Sequence, residues 1–176
     1  MLNQWIPVEP IHCHKRLKKN TLIEKVRYIS KDKKLGELIV KVLPKELEFF
    51  YDHGIDHIPG MLSVCVMRQS SLVIAHVIYK VPMDYIAIME WMKIKLYCYG
   101  ELDIPTIVKS ETLNLNEKKN KKTFILKGTM IQKNNIIMKT VGKLIMLNPL
   151  LARKIRYKKV KLEEIKRRED DEFFNY

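Results

Sequence analysis

"DHGIDHIPGMLSVCVMRQSS", residues 52–71, is the stretch on which the fold turns. It opens with two Asp-His pairs and breaks at Pro59-Gly60. It then runs on as an apolar segment with Arg68 and Gln69 in its middle. Proline and glycine are stop-and-start signals, and proline is tolerated where a helix begins. From Gly60 to about Tyr79 nothing interrupts the chain, which is room for five helical turns. The segment is apolar on nearly every side, so it reads as a buried helix and not as an amphipathic surface one. Within it, Cys65, Arg68, Gln69, Leu72 and His76 fall on one face.

The flanks are of another kind. Upstream, "TLIEKVRYIS" (21–30) and "ELIVKVL" (37–43) read as strands, with "KDKKLG" (31–36) turning between them. Downstream of Pro82, "WMKIKLYCYG" (91–100) alternates, with Met92, Ile94, Leu96 and Cys98 on one side. "TIVKSETLNLN", "KTFILKGTMIQ" and "IIMKTVGKLIML" continue as strands, with "KNN" (133–135) turning the last pair. The order is two strands, one buried helix, then four or so antiparallel strands. A lone helix that is apolar all round must be wrapped by a sheet. The expected class is therefore α+β: a hotdog fold, with a curved antiparallel sheet around one long central helix. Residues 1–150 form a single such domain, and 151–176 a tail that is basic, then acidic.

Composition bounds the chemistry. The chain has 176 residues, enough for one domain with a real core. No apolar run approaches the ~20 residues of a membrane helix, and the N-terminus lacks an apolar signal core. No membrane span and a cytoplasmic location are the expectations. Three cysteines, Cys13, Cys65 and Cys98, have no short paired spacing and point to free thiols. The net charge of +13 attracts anionic partners. The basic runs "HKRLKK" and "ARKIRYKKVK" carry no zinc-finger spacing and no RNA-stacking aromatics. Nucleic acid is thus an unfavoured partner, supported by charge alone.

The residues before the helix carry chemistry. Its first amides, Gly60, Met61 and Leu62, lack intrahelical acceptors and can polarise a carbonyl. His53 or His57 can serve as general base, with Asp52 or Asp56 orienting the ring. The bland alternative is that both Asp-His pairs only tie the loop. No metal site is expected. Gly54 and Pro59 argue against placing both histidines on one helix, which leaves zinc weakly supported. Arg68 must meet an anion or reach solvent. Its partner is either a structural carboxylate (Asp52, Asp56 or Glu90) or a ligand phosphate or carboxylate. Gln69 is expected to bond the loop before the helix. Cys65 reads as a small core residue and not as a nucleophile.

"FFYDHGIDHIPGML" followed by "RQSS" resembles the A-factor biosynthesis hotdog family, whose members carry Asp-His-x-x-Asp-His-x-Pro-Gly-Met, then a glutamate, then Arg-Gln. "HCHKR" (12–16) is similar to a Val-His-Arg/Lys element ahead of that family's first strand. A more distant likeness is to the hydroxyacyl-carrier-protein dehydratases. The close match covers residues 49–71. The resemblance implies transfer of an acyl group from acyl carrier protein or CoA to a small hydroxyl acceptor. No cofactor is implied beyond that thioester. Two departures stand out. Cys65 occupies the glutamate position; in the dehydratases that acid takes part in proton transfer, so its loss tells against dehydration and favours a non-catalytic acyl-binding or scaffolding role. A thioesterase or dehydratase variant is the remaining alternative. The chain also holds one hotdog unit where the family usually joins two, which implies a homodimer.

Overall fold

In the computed structural model, residues 2–32, 34–40 and 57–157 are described. Seven strands make one antiparallel sheet: β1 (Ile6–Pro7), β2 (Ile23–Tyr28), β3 (Leu35–Val40), β4 (Ile86–Leu96), β5 (Thr106–Lys118), β6 (Lys121–Gln132) and β7 (Asn135–Leu147). Their order across the sheet is β1-β2-β3-β5-β6-β7-β4. One long helix, α1 (Gly60–Val73), lies against the sheet and continues as a π-helical turn over Ile74–Ile78. The expected hotdog architecture is what the chain forms.

The helix is long and apolar enough to cross a membrane by length and composition alone, over Gly60–Ile78. This corrects the expectation that no stretch approaches such a length. The fold uses it differently, because 72% of its 18-residue window is buried inside the protein. Leu62, Val66, Leu72, Val73 and Ile74 are each no more than 2% exposed. They meet Leu38, Val108, Phe124, Met130, Met138 and Leu144 from the sheet in one core. Two strand glycines let helix and sheet close on each other. A Cβ on Gly128 would come within 2.2 Å of Met67, and one on Gly36 within 2.6 Å of Ile74. Helix polar groups are satisfied locally: the Ser70 and Ser71 hydroxyls donate to the carbonyls of Val66 and Met67, at 2.8 and 2.9 Å.

The strands differ from expectation at their ends. β4 begins at Ile86, five residues before the expected start at Trp91, and stops at Leu96. A bulge between Met89 and Trp91 shifts its register against β7, so that Ala87 and Met89 before it and Met92 after it are the less exposed positions. The expected turn after β6 is present, with Lys133 in the left-handed region at φ 52°. Several elements were not foreseen, among them short 3-10 turns over Pro10–Cys13 and Lys18–Asn20. β1 is a two-residue strand, below the length at which periodicity shows. α2 (Pro149–Arg156) is capped by Asn148, whose side chain accepts from the Leu151 amide at 2.9 Å. The expected helix or frayed end beyond residue 157 lies outside the described residues, as do residues 41–43 of the second strand segment.

Candidate functional site

The N-terminal end of α1 opens on a cleft of about 360 Å3. His57, Gly60 and Ser63 form one wall, and Tyr97, Tyr99 and Gly100, from the chain leaving β4, form the other. Pro59 is the N-cap, in extended conformation, and no side chain caps the helix. The Ser63 amide is the first bonded within the helix, to the Pro59 carbonyl at 3.0 Å. The Gly60, Met61 and Leu62 amides therefore have no intrahelical acceptor. A Cβ on Gly60 would meet nothing within 4 Å, so the approach to these amides is open. The helix dipole adds partial positive charge there, and no acidic side chain in the first turn offsets it.

His57 is placed by backbone pairing. The Ile58 amide donates to the Gly100 carbonyl at 2.6 Å, and His57 bridges Glu101. The imidazole lies on the ring of Tyr99, with centroids 4.4 Å apart. The fit at Gly100 is tight, since a Cβ there would crowd Ile58 and Ile137 at 3.1 Å. The opposing segment is in turn pinned from β6. Gln132 accepts from the Glu101 amide and donates to the Glu101 carbonyl, both at 2.7 Å. Its amide also donates to the Ile104 carbonyl and to the Thr106 hydroxyl, at 3.0 and 2.9 Å. A basic group beside a bundle of unbonded amides can deprotonate a nucleophile while those amides hold the charge developing on a carbonyl oxygen.

Of the residues expected at the site, the structure brings His57 and Gly60 together at the cleft. Met61 stands exposed beside Gly60, and Leu62 has its side chain in the core. Asp52, His53 and Asp56 lie outside the described residues. Arg68 and Gln69 do not line the cleft. Their helix face packs on the N-terminal segment. Gln69 is buried; it accepts from the Leu22 amide at 2.8 Å and donates to the Asn20 carbonyl at 3.0 Å. It thereby fixes the entry to β2; the loop before the helix that it was expected to bond lies, up to residue 56, outside the described residues. Arg68 is exposed, so its charge reaches solvent and needs no burial. Glu90, one suggested partner for it, pairs with Lys143 on β7. Cys65 is half-buried against the core, and none of the three cysteines forms a disulfide.

Beside Arg68 sits a histidine pair. His14, in the left-handed region at φ 53°, reaches His76 in the π-helical turn, with Nε2 atoms 2.8 Å apart. His76 Nδ1 bonds the Val81 carbonyl at 2.9 Å. A carbonyl only accepts, so Nδ1 carries the proton and the His76 Nε2 accepts from His14. Burial of its inner edge, then His76, then Arg68 push the His14 pKa down to about 4. Burial lowers that of His76 as well. His12 is lowered by burial and then by His76; its Nδ1 accepts from the Glu9 amide at 3.0 Å.

Ser63, Tyr97 and Tyr99 were not foreseen as site residues. Ser63 sits one turn from Gly60 in a stretch read only as apolar. The two tyrosines reach the helix end only because Gln132 and Ile58 hold the chain beyond β4.

Comparison with known proteins agrees with this architecture. Residues 3–148 match the A-factor biosynthesis hotdog domain. No curated protein matches the sequence. Among solved structures, the dehydratase heterocomplex ApeI:P from Xenorhabdus doucetiae is similar with a TM-score of 0.61 at 15% identity, covering 84% of this chain and 98% of that one. An HP0420 homologue from Helicobacter felis gives 0.55 at 13% identity, over 80% and 89%. A phenylacetic acid degradation-related protein from Ralstonia eutropha gives 0.50 at 7%, over 69% and 83%. At such identities the likeness is one of fold.

Proposed function

The chain belongs to the A-factor biosynthesis hotdog family, and from that premise we propose that it acts on acyl thioesters, moving the acyl group from acyl carrier protein or CoA to a small hydroxyl acceptor. One observation carries this reading: the His57 imidazole lies at the uncapped N-terminus of α1, in a cleft open to solvent. The thioester carbonyl docks with its oxygen toward the amides of Gly60 and Met61. His57 takes the proton from the acceptor hydroxyl, and the oxygen attacks the carbonyl. The tetrahedral oxyanion is held by the helix end, and collapse expels the thiol, which recovers a proton from the imidazolium. The +13 charge suits an acidic carrier protein or CoA phosphates.

A second reading has its own support. Cys65, at the position of the family's glutamate, does not line the cleft and cannot supply a carboxylic acid. A protein without that acid can bind an acyl chain or scaffold a pathway without turning it over.

The assembly we propose is a homodimer joined along β4. That strand has eleven residues and ends the sheet; among the described residues none pairs with its outer edge. Ile86, Ile88, Trp91, Ile94 and Leu96 on it are 38–57% exposed. An unpaired, apolar edge of this length is a template for a second copy.

Incubation with a panel of acyl thioesters, with and without small alcohols, tests the reading. Thiol release and product mass distinguish transfer from hydrolysis and dehydration. An acylated alcohol as product is the expected result. Acyl-ligand binding with no thiol release on any thioester would instead establish the binding role.

A further inference from the structure

The cleft has a second polar feature that the transfer chemistry does not use. Tyr97, part of its wall, carries two ammonium groups over its ring: Lys95 Nζ at 5.0 Å from the centroid and Lys139 Nζ at 5.3 Å. The two lysines are direct cross-strand partners on β4 and β7. Like charges placed opposite each other destabilise a sheet. Three other lysines on the same sheet, Lys122, Lys127 and Lys143, each pair with a glutamate. Among the described residues Lys95 and Lys139 have no carboxylate within salt-bridge distance, and an aromatic face stands in for one. A tyrosine face attracts cations without neutralising them. What results is a doubly charged spot at the protein surface that is one carboxylate or phosphate short of balance.

We infer that Lys95 and Lys139, gathered over Tyr97 at the lip of the cleft, form a phosphate subsite that takes the phosphate of a 4′-phosphopantetheine arm. The inference rests on the acyl-thioester reading and makes it specific about the carrier. Reach is adequate. Lys95 and Tyr99, whose ring touches His57, are four residues apart, at most roughly 14 Å even if fully extended. A pantetheine arm lying across the cleft can thus set its sulfur near His57 and its phosphate on the lysines. Edge-to-edge pairing of β4 uses backbone groups, so it leaves these side chains on the sheet surface. The phosphate is common to CoA and to a carrier protein's prosthetic arm.

Titration calorimetry on the whole chain with 4′-phosphopantetheine, pantetheine and CoA tests this at low and high salt. The phosphorylated arm should bind about tenfold tighter than pantetheine, as two charge-assisted contacts allow. The advantage should shrink with salt. In the Lys95→Gln/Lys139→Gln double variant the ratio between the two probes should fall toward one. Tyr97→Leu should lower the same ratio by releasing the lysines. CoA binding no tighter than phosphopantetheine assigns the subsite to the arm's own phosphate. A gain seen with CoA alone would overturn that assignment in favour of the nucleotide end. Equal binding of phosphopantetheine and pantetheine by the parent protein, or a ratio unchanged in the double variant, would overturn the proposal. So would failure of all three probes to bind. The thioester reading is judged separately, by turnover of N-acetylcysteamine thioesters, which carry no phosphate.

Discussion

Gln132 holds both main-chain groups of Glu101, accepting from its amide and donating to its carbonyl at 2.7 Å each. Because Glu101 is the bridge partner of His57, a residue on β6 sets where the imidazole sits. Gln132→Leu leaves those two groups without partners, at about 1–3 kcal/mol for each that stays buried. The expected outcome is lower turnover and a lower melting temperature together. Gln132→Glu, which keeps the acceptor, should recover part of the stability. Full activity in Gln132→Leu would show that the cleft wall does not need the clamp.

His57→Ala should lower thioester turnover by ~10²-fold or more with the fold intact. His53→Ala should do less. Steady-state kinetics beside circular dichroism melts check this. A larger loss in His53→Ala would move the base to the other histidine.

The His14–His76 contact predicts a pH dependence. Both rings have pKa values below the ordinary 6.5, His14 at about 4. The unfolded chain therefore binds protons that the folded one refuses, from pH 6.5 downward. Their contribution is fully present above 6.5 and is lost as pH falls through the folded values. Arg68 and a second imidazole face any charge that forms there. Melting temperature should fall more steeply below pH 6.5 in the parent than in His14→Ala. Parallel curves would refute the link. The effect is modest, because His14 keeps one edge in water.

Gln69→Leu removes the partner of the Leu22 amide and of the Asn20 carbonyl, and should destabilise by about 1–3 kcal/mol per group left unsatisfied. Cys65→Ala, away from the cleft, should leave turnover close to that of the parent. A Gln69→Leu variant that melts normally but no longer binds substrate would restore Gln69 to the site.

The β4 edge predicts a concentration-dependent dimer, measurable by sedimentation equilibrium. Ile94→Asp, which places a charge on that edge, should shift the balance to monomer. A parent protein that stays monomeric at high concentration would end this reading.

The helix and the three long strands after it were legible because each is set by local pattern. Pro59-Gly60 marks the start of α1, and alternation marks β5 to β7. What escaped the sequence depends on contacts distant along the chain. Tyr99 meets His57 across 42 residues, and Gln69 meets Leu22 across 47. Neither pairing leaves a periodicity to read. The π-helical turn shifts a single register of hydrogen bonds, the Tyr79 amide reaching back to Ile74, and no propensity records that. Arg68 looked buried because its neighbours are apolar. The open side of the helix is narrow, and the residue that faces it can be told only once the sheet is in place.

Met67 seated on Gly128 bears on how the protein measures its ligands. Between helix and sheet, in the space these two residues help to line, about 10 Å3 remains, room for one water molecule at most. On the proposed acyl reading, a fatty chain entering at the helix end finds no room to thread between these described residues. It would lie along the outside, as a rod rests in a gutter, with Ile137 and Leu96 beneath it. Chain length would then be gauged by where that gutter stops, and not by the depth of a hole.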